Sequence, residues 1–351
     1  MAQGIALPRA GRAIGAPLRL AALLPALALA VVAGVLVGPA AIPPEVSLRV
    51  LLHEIGLPVG HVSAAAVSIV WLIRLPEVVG AALVGASLAV AGGLLQAIFR
   101  NPLADPYVIG ASAGAQVGVV LAVLLPLPVT ALGFGGAQIL AFAGALATVL
   151  FVYLLARSAG RVPPVTLLLA GFVVSSFLIS FTSLIGAVSG NIDRIVMWTL
   201  GDLNVSGWTQ LSVAAPAALC AIAAACLLGW RLDALLLGED QAQTIGVRVE
   251  TLKILAVGLA SLLTAIAVAM AGVVAFVGLI VPHGVRLVYG SGHRVLLPAS
   301  AAAGAIFLIL ADLLARTVIP ATQLPLGVVT AITGAPFFLY LLWQRKRDYR
   351  I

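Results

Sequence analysis

Long apolar runs, separated by short segments that carry charges, proline or glycine, follow one another along the whole chain. A transmembrane helix needs about 20 mostly apolar residues to cross ~30 Å of hydrocarbon. The pattern therefore predicts an all-α, polytopic integral membrane protein with ten transmembrane helices. The ten runs cover residues 20–38, 75–99, 108–125, 129–155, 165–188, 208–230, 252–270, 273–288, 295–319 and 326–343. A shorter apolar run, residues 62–73, cannot span, and we expect it to be an interfacial or re-entrant piece.

The basic residues indicate how the helices are oriented. If the N-terminus lies inside and the runs alternate in direction, all but four of the 19 Lys and Arg residues lie inside. The four on the outside are Arg49, Arg74, Arg194 and Arg316. This asymmetry follows the positive-inside rule and predicts that both termini are cytoplasmic.

The same pattern divides the chain into regions. Residues 1–19 form a cytoplasmic N-terminal tail, residues 20–344 a membrane domain with a cytoplasmic loop at 231–248, and residues 345–351 a basic cytoplasmic tail. The first run is longer than the apolar core of a signal peptide, which has 7–15 residues. We therefore expect the first run to stay in the protein as an anchor.

Composition removes several other classes of protein. Hydrophobic residues make up 62% of the chain and charged residues 9%, whereas a soluble domain carries about 25% charged residues. We therefore do not expect a soluble fold, a disordered chain or a membrane β-barrel. The net charge of +7 comes from residues scattered at the ends of apolar runs, which favours contact with membrane lipid and not with nucleic acid.

Chemical motifs are absent from the sequence. The two cysteines, Cys220 and Cys226, are six residues apart in one apolar run, so we expect neither a disulfide nor a metal site. The four histidines have no metal-ligand spacing. No phosphate-binding loop, nucleophile elbow or zinc-protease motif occurs. We expect no catalytic residue and no cofactor. If ATP drives transport by this protein, the ATPase must be another polypeptide.

A stripe of small residues marks the second run. Ala81, Gly85, Ala89 and Gly93 recur every four positions, so they share one helix face and allow close approach of another backbone. Ordinary helix packing is the first interpretation, and a pore-lining face is the alternative.

Two charged residues stand near the end of the ninth run. Asp312 and Arg316 are four residues apart and can meet on one helix face. Mutual neutralisation is one interpretation, and an outward recognition role for Arg316 is the other. Arg74, at the start of the second run, is either an interfacial anchor or a similar contact point.

The cytoplasmic loop contains a segment that reads as a short helix. Acidic Glu239 and Asp240 suit its first turn, and Gly246 suits its end. We call residues 238–246 the coupling segment. It is a candidate docking element for a cytosolic partner, with a solvated linker as the alternative.

Several sequence blocks resemble one known family. They are residues 74–96 (RLPEVVGAALVGASLAVAGGLLQ), 99–106 (FRNPLADP), 109–114 (IGASAG), 276–283 (FVGLIVPH), 311–316 (ADLLAR) and 324–338 (LPLGVVTAITGAPFF). Together they resemble the permease subunits of binding-protein-dependent ABC importers for iron-siderophores, heme and cobalamin. The resemblance runs from about residue 60 to the C-terminus.

The resemblance implies a ten-helix permease that works as a homodimer by alternating access. Two ATPase subunits dock inside and a periplasmic substrate-binding protein docks outside. The coupling segment is similar to the family's ATPase-docking helices, which implies that role for Gly238, Glu239, Asp240, Ala242, Ile245 and Gly246.

Arg74 and Arg316 match family arginines that meet acidic residues on the binding protein. The resemblance thus assigns docking to these two residues, and helix packing around the translocation pathway to Gly85, Ala89 and Gly93. Glu77 departs from the family, which often has a second arginine at this position, so the pairing of docking charges is altered.

Two other classes of protein are alternatives to an ABC importer permease. An ion-gradient-driven secondary transporter would need intramembrane carboxylates or broken helices, and Asp312 is the single candidate carboxylate. An intramembrane enzyme would need a polar constellation that the sequence lacks. Ferric siderophore, heme and cobalamin all remain open as cargo.

Overall fold

The computed structural model describes residues 15–125, 130–158, 161–319 and 323–348. Residues 1–14 of the predicted N-terminal tail and 349–351 of the predicted basic tail lie outside these ranges. The α-helices are α1 (Gly15–Leu36), α2 (Pro44–Glu54), α3 (Ala64–Val67), α4 (Leu75–Phe99), α5 (Ala111–Leu124), α6 (Gly136–Ala156), α7 (Pro164–Ser189), α8 (Ile192–Thr199), α9 (Trp208–Leu227), α10 (Gly229–Leu235), α11 (Glu239–Thr244), α12 (Val249–Ala271), α13 (Val277–Tyr289), α14 (His293–Thr317) and α15 (Leu326–Asp348). A π-helix (Ser68–Arg74), a 3₁₀-helix (Pro106–Ile109) and a hairpin of β1 (Thr130–Ala131) and β2 (Phe134–Gly135) complete the described elements.

The all-α prediction is confirmed, and each of the ten apolar runs coincides with a helix. Within the described ranges, six helices are long and apolar enough to cross a membrane. Four more, within α1, α5, α13 and α15, are apolar but shorter. The number of spans and the side of each terminus stay predictions.

The run at residues 62–73, which we expect to be an interfacial or re-entrant piece, is continuous with the second run. Residues Ala64–Phe99 form one continuous helix of 36 residues, in which the π-helix joins α3 to α4. Pro76 has no N–H, so the regular bonding pattern must break near it. The N–H of Leu75 bonds the Val70 oxygen instead, and the freed Trp71 oxygen accepts a hydrogen bond from Trp208 Nε1 at 2.9 Å.

The helix α4 lies at the centre of the bundle and is buried along most of its length. It packs most extensively against α14, and also against α12 and α13. The helices α4 and α13 approach each other closely, since a Cβ on Gly92 would overlap the Gly278 oxygen. Small residues therefore let the central helix touch its neighbours backbone to backbone. By contrast, α7 is largely exposed.

Two irregular segments meet inside the bundle. One, residues 100–110, follows α4, and the other, residues 272–276, precedes α13. The Tyr107 hydroxyl donates to the Val274 oxygen at 3.3 Å and accepts from the Val274 N–H at 3.1 Å. Gln96 Nε2 donates to the Gly278 oxygen at 3.2 Å. Side chains thus satisfy backbone groups that the helix breaks leave unpaired.

Candidate functional site

Four charged side chains, three buried and one half-buried, form a cluster at the end of the bundle where α4 begins. We call this the Arg74 end and its members, Arg74, Glu77, Asp312 and Arg316, the charge cluster. Arg316 Nη1 lies 3.2 Å from Glu77 Oε2, and Arg316 Nη2 lies 2.7 Å from Asp312 Oδ2. The predicted pairing of Asp312 and Arg316 on one helix face is therefore present, with Glu77 as a second acidic partner.

Arg74 satisfies a different set of acceptors. Its guanidinium donates to the backbone oxygens of Val35 at 3.3 Å and Leu36 at 3.5 Å, and also to that of Ala40. These carbonyls lie at and just beyond the end of α1, where helix oxygens have no partner within the helix and attract a cation. Arg74 thus fastens the end of α1 to the start of α4.

The charge cluster holds three helices together. Arg74 and Arg316 are both buried, as is Asp312. A buried ion pair that loses one partner leaves an uncompensated charge, which is strongly destabilising. With Glu77 and Asp312, the cluster holds two carboxylates for its two guanidinium groups, so its formal charges balance. The docking role expected for Arg74 and Arg316 stays a prediction, since both arginines are already engaged within the chain.

The opposite end of the bundle carries the coupling segment, and we call it the Lys253 end. The predicted short helix is present as α11, with Gly238 before it and Gly246 after it, both at positive φ (118° and 90°). Ala242, within this helix, is buried. Ile245, which follows the helix, is exposed, as are Leu236 and Leu237 just before the segment. The segment is therefore packed against the bundle through Ala242 and flanked by exposed apolar side chains.

Lys253 is the anchor that sequence reasoning missed. Its Nζ lies 2.9 Å from Glu239 Oε2 and 3.1 Å from Glu250 Oε1. Glu250 in turn accepts a hydrogen bond from the Val162 N–H at 3.3 Å. The ammonium thus ties α11 to α12 and, through Glu250, to the segment before α7. Its rarity was the available signal, since it is one of two lysines in the chain.

A second polar contact joins α10 to α14. Asp233 Oδ1 lies 2.9 Å from His293 Nδ1 and accepts from the His293 N–H at 2.5 Å. Burial alone would raise the pKa of the Asp233 carboxyl, but the hydrogen bonds and charge of His293 outweigh it and hold this pKa below its usual value. The contact fixes the orientation of the helix that leads into the coupling segment.

The stripe of small residues on α4 packs against α14 of the same chain. A Cβ on Gly85 would overlap the Gly304 oxygen, and one on Gly93 would come within 3.0 Å of Leu297. A Cβ on Gly304 would in turn overlap the Cβ of Ala89. This geometry agrees with the packing interpretation of the stripe.

Metal and disulfide chemistry receive no support from the described residues. No group of three or more His, Cys, Asp or Glu side chains could hold a metal ion there, and Cys220 and Cys226 are free. The arrangement instead consists of two polar ends, joined by tightly packed apolar helices.

Comparison with known proteins gives consistent matches. The model of the FecCD transport family matches residues 26–344. The cobalamin import system permease of Halobacterium salinarum is 47% identical over 279 residues, which cover 79% of this chain and 74% of that protein. The hemin transport system permease of Yersinia pestis is 36% identical, and the alignment covers 80% of this chain and 85% of that protein. The Fe(3+) dicitrate transport system permease of Escherichia coli is 40% identical and covers 78% and 84%.

A solved structure agrees with these relatives. It describes an inward-facing conformation of a metal-chelate type ABC transporter, and its chain is 29% identical to this one. The TM-score is 0.80, and the alignment covers 93% of this chain and 99% of that chain. The whole helical arrangement is therefore shared, and not a single motif.

Proposed function

The chain belongs to the FecCD transport family, and on that premise we propose that it is the permease subunit of an ABC importer. Its cargo is a metal chelate, namely a ferric siderophore, heme or cobalamin, which it moves across the cytoplasmic membrane. The observation that carries this proposal is the family match over residues 26–344. Relatives named for cobalamin, hemin and iron dicitrate transport support the cargo class.

The permease works as a homodimer of ten-helix subunits, with both termini in the cytoplasm. Coincidence of the ten apolar runs with helices supports the span number, and the distribution of basic residues supports the orientation. The Arg74 end then faces the periplasm, and the Lys253 end faces the cytoplasm. No step of this transport changes the cargo chemically.

Two separate ATPase subunits dock on the Lys253 end. The coupling segment supplies the contact, since exposed Leu236, Leu237 and Ile245 offer apolar surface outside the membrane. The ion pair between Lys253 and Glu239 transmits force, because it joins α11 to α12, a helix that runs through the bundle. ATP binding and hydrolysis then shift the permease between outward-open and inward-open packings.

A periplasmic substrate-binding protein docks on the Arg74 end. Arg74 and Arg316 remain the proposed docking residues, but an acidic side chain of the partner must compete with acceptors already in place. For Arg316 these are Glu77 and Asp312. Docking would then redistribute the charge cluster and loosen the joint between α4 and α14.

An ion-gradient-driven secondary transporter is the alternative, and the geometry favours it less. Asp312 is buried, but it is paired with Arg316 at 2.7 Å near a helix end. This ion pair already compensates the carboxylate within the chain. Asp312 therefore offers no uncompensated negative charge to a coupling ion.

Reconstitution tests the proposal. The permease is placed in liposomes with and without its ATPase and binding protein, and uptake of each candidate chelate is measured. We expect concentrative uptake only in the complete system with ATP. Uptake driven by an ion gradient in liposomes that contain the permease alone would refute the importer assignment.

A further inference from the structure

A groove beside the coupling segment gathers basic and aromatic side chains. It has a volume of about 360 Å³ and is formed where α10 and α12 begin. Its lining includes Trp230 and Arg231 of α10, Arg248 just before α12, and Thr251 and Leu255 of α12. We call it the Trp230 groove. Its lining includes no residue of the charge cluster and none of the exposed apolar residues Leu236, Leu237 and Ile245.

The polar part of the Trp230 groove is suited to a phosphate. Arg231 and Arg248 both line it, both are exposed, and none of the lining residues is acidic. Glu250, the nearest acid in the first turn of α12, is bound to Lys253 instead. The helix α12 also begins here without a side-chain cap, so its unpaired N–H groups and positive dipole end add to the attraction for an anion.

The apolar part of the groove is suited to a lipid. Trp230 is half exposed and stacks on the Arg231 guanidinium, whose centre lies 5.2 Å from the ring centroid. Tryptophan and arginine are typical of the membrane interface, where one end is apolar and the other is hydrated. Exposed Leu255 continues the groove along α12, and exposed Ile254 stands next to it. A headgroup site thus leads directly onto an apolar wall that an acyl chain can follow.

We propose that the Trp230 groove binds the phosphate headgroup of an anionic phospholipid. Basic pockets between membrane helices on the cytoplasmic side are a known setting for such headgroups. Under the topology proposed above, the groove opens to the inner leaflet. Gly246 and Val247 also line it, so a bound lipid touches the end of the coupling segment. The inference does not depend on which cargo the importer carries.

Native mass spectrometry of the full chain in mild detergent tests the inference. Phosphatidylglycerol and phosphatidylcholine with the same acyl chains are titrated, and the bound fraction of each is measured. We expect phosphatidylglycerol to bind preferentially. In the double variant Arg231→Gln, Arg248→Gln, we expect the preference for phosphatidylglycerol over phosphatidylcholine to fall about 30-fold. Each arginine near an anionic surface contributes roughly fivefold to that preference.

A matched variant separates a defined site from general surface charge. Arg157→Gln, Arg161→Gln removes the same charge from two exposed arginines on the same side, and we expect its lipid preference to stay unchanged. Arg231→Lys, Arg248→Lys keeps the charge and should retain most of the binding. Thermal melting of all variants controls for folding.

Three results would overturn the proposal. They are equal binding of the two lipids to the wild-type chain, equal loss of preference in both glutamine double variants, and complete displacement of phosphatidylglycerol by inorganic phosphate. The last result would assign the groove to a free anion.

Discussion

Lys253 gives the sharpest test of how the coupling segment is held. We consider Lys253→Met, which keeps most of the side-chain length and removes the charge. The Lys253 side chain is 6% exposed, whereas those of Glu239 and Glu250 are 35% and 32% exposed. Because both carboxylates reach solvent, each ion pair is worth about 0.5–1 kcal/mol after screening. Only the pair with Glu239 joins α11 to α12, since Glu250 lies within α12 like Lys253. The variant should therefore lower the free energy of local opening at α11 by about 0.5–1 kcal/mol.

Hydrogen–deuterium exchange measures this change directly. A loss of that size raises the open population, and we expect amide exchange in α11 to accelerate about 2- to 5-fold. Exchange in α4, which lies in the centre of the bundle, should stay the same. Arg157→Met removes an exposed cation elsewhere and serves as the control.

A second variant checks the electrostatic explanation. Adding Glu239→Gln and Glu250→Gln to Lys253→Met removes the two carboxylates that the single change leaves without a cation. We expect part of the protection at α11 to return. Unchanged exchange in Lys253→Met, or acceleration spread evenly over the chain, would refute the anchoring role of Lys253.

Three further predictions concern packing, a helix irregularity and pH. Gly85→Leu should prevent assembly of the helix bundle, because the new side chain overlaps the facing backbone. Gly258→Leu points into open space and should be tolerated. Size-exclusion chromatography distinguishes the two variants. Trp208→Phe removes the hydrogen bond to the freed oxygen in the π-helix and should cost about 1–2 kcal/mol of stability, read as a lower melting temperature. Asp233 has a lowered folded-state pKa, so its stabilising contribution is complete above the ordinary carboxyl pKa of about 3.9 and is lost as pH falls through the folded value. The melting-temperature difference between the wild type and Asp233→Asn should therefore shrink in acid, and a difference independent of pH would contradict this.

The helices were predictable from hydropathy because burial in lipid imposes the same requirement on every span. Each must satisfy its backbone internally and expose apolar side chains over a fixed length. Hydropathy did not show that the run at residues 62–73 continues into α4, and the cause is local. Pro76 suggested a helix start, and the sequence does not reveal that Trp208, far along the chain, supplies the missing hydrogen bond.

The charge cluster was predictable only in part. Asp312 and Arg316 share a helix, so their spacing alone brings them together. Glu77 is 239 positions away from Arg316, and only the packing of α4 on α14 makes them neighbours. The same limit applies to Lys253, whose contact with Glu239 depends on how the coupling segment folds back onto α12.

The length of the central helix has a mechanical consequence. At 1.5 Å per residue, the 36 residues of Ala64–Phe99 extend about 54 Å, which exceeds the full bilayer thickness of about 40–45 Å including headgroups. A helix of that length is long enough to reach both membrane surfaces, so a change in its tilt would displace both of its ends without passing through a loop. The π-helical turn close to one end is the point where such a rod can flex while the remainder stays stiff.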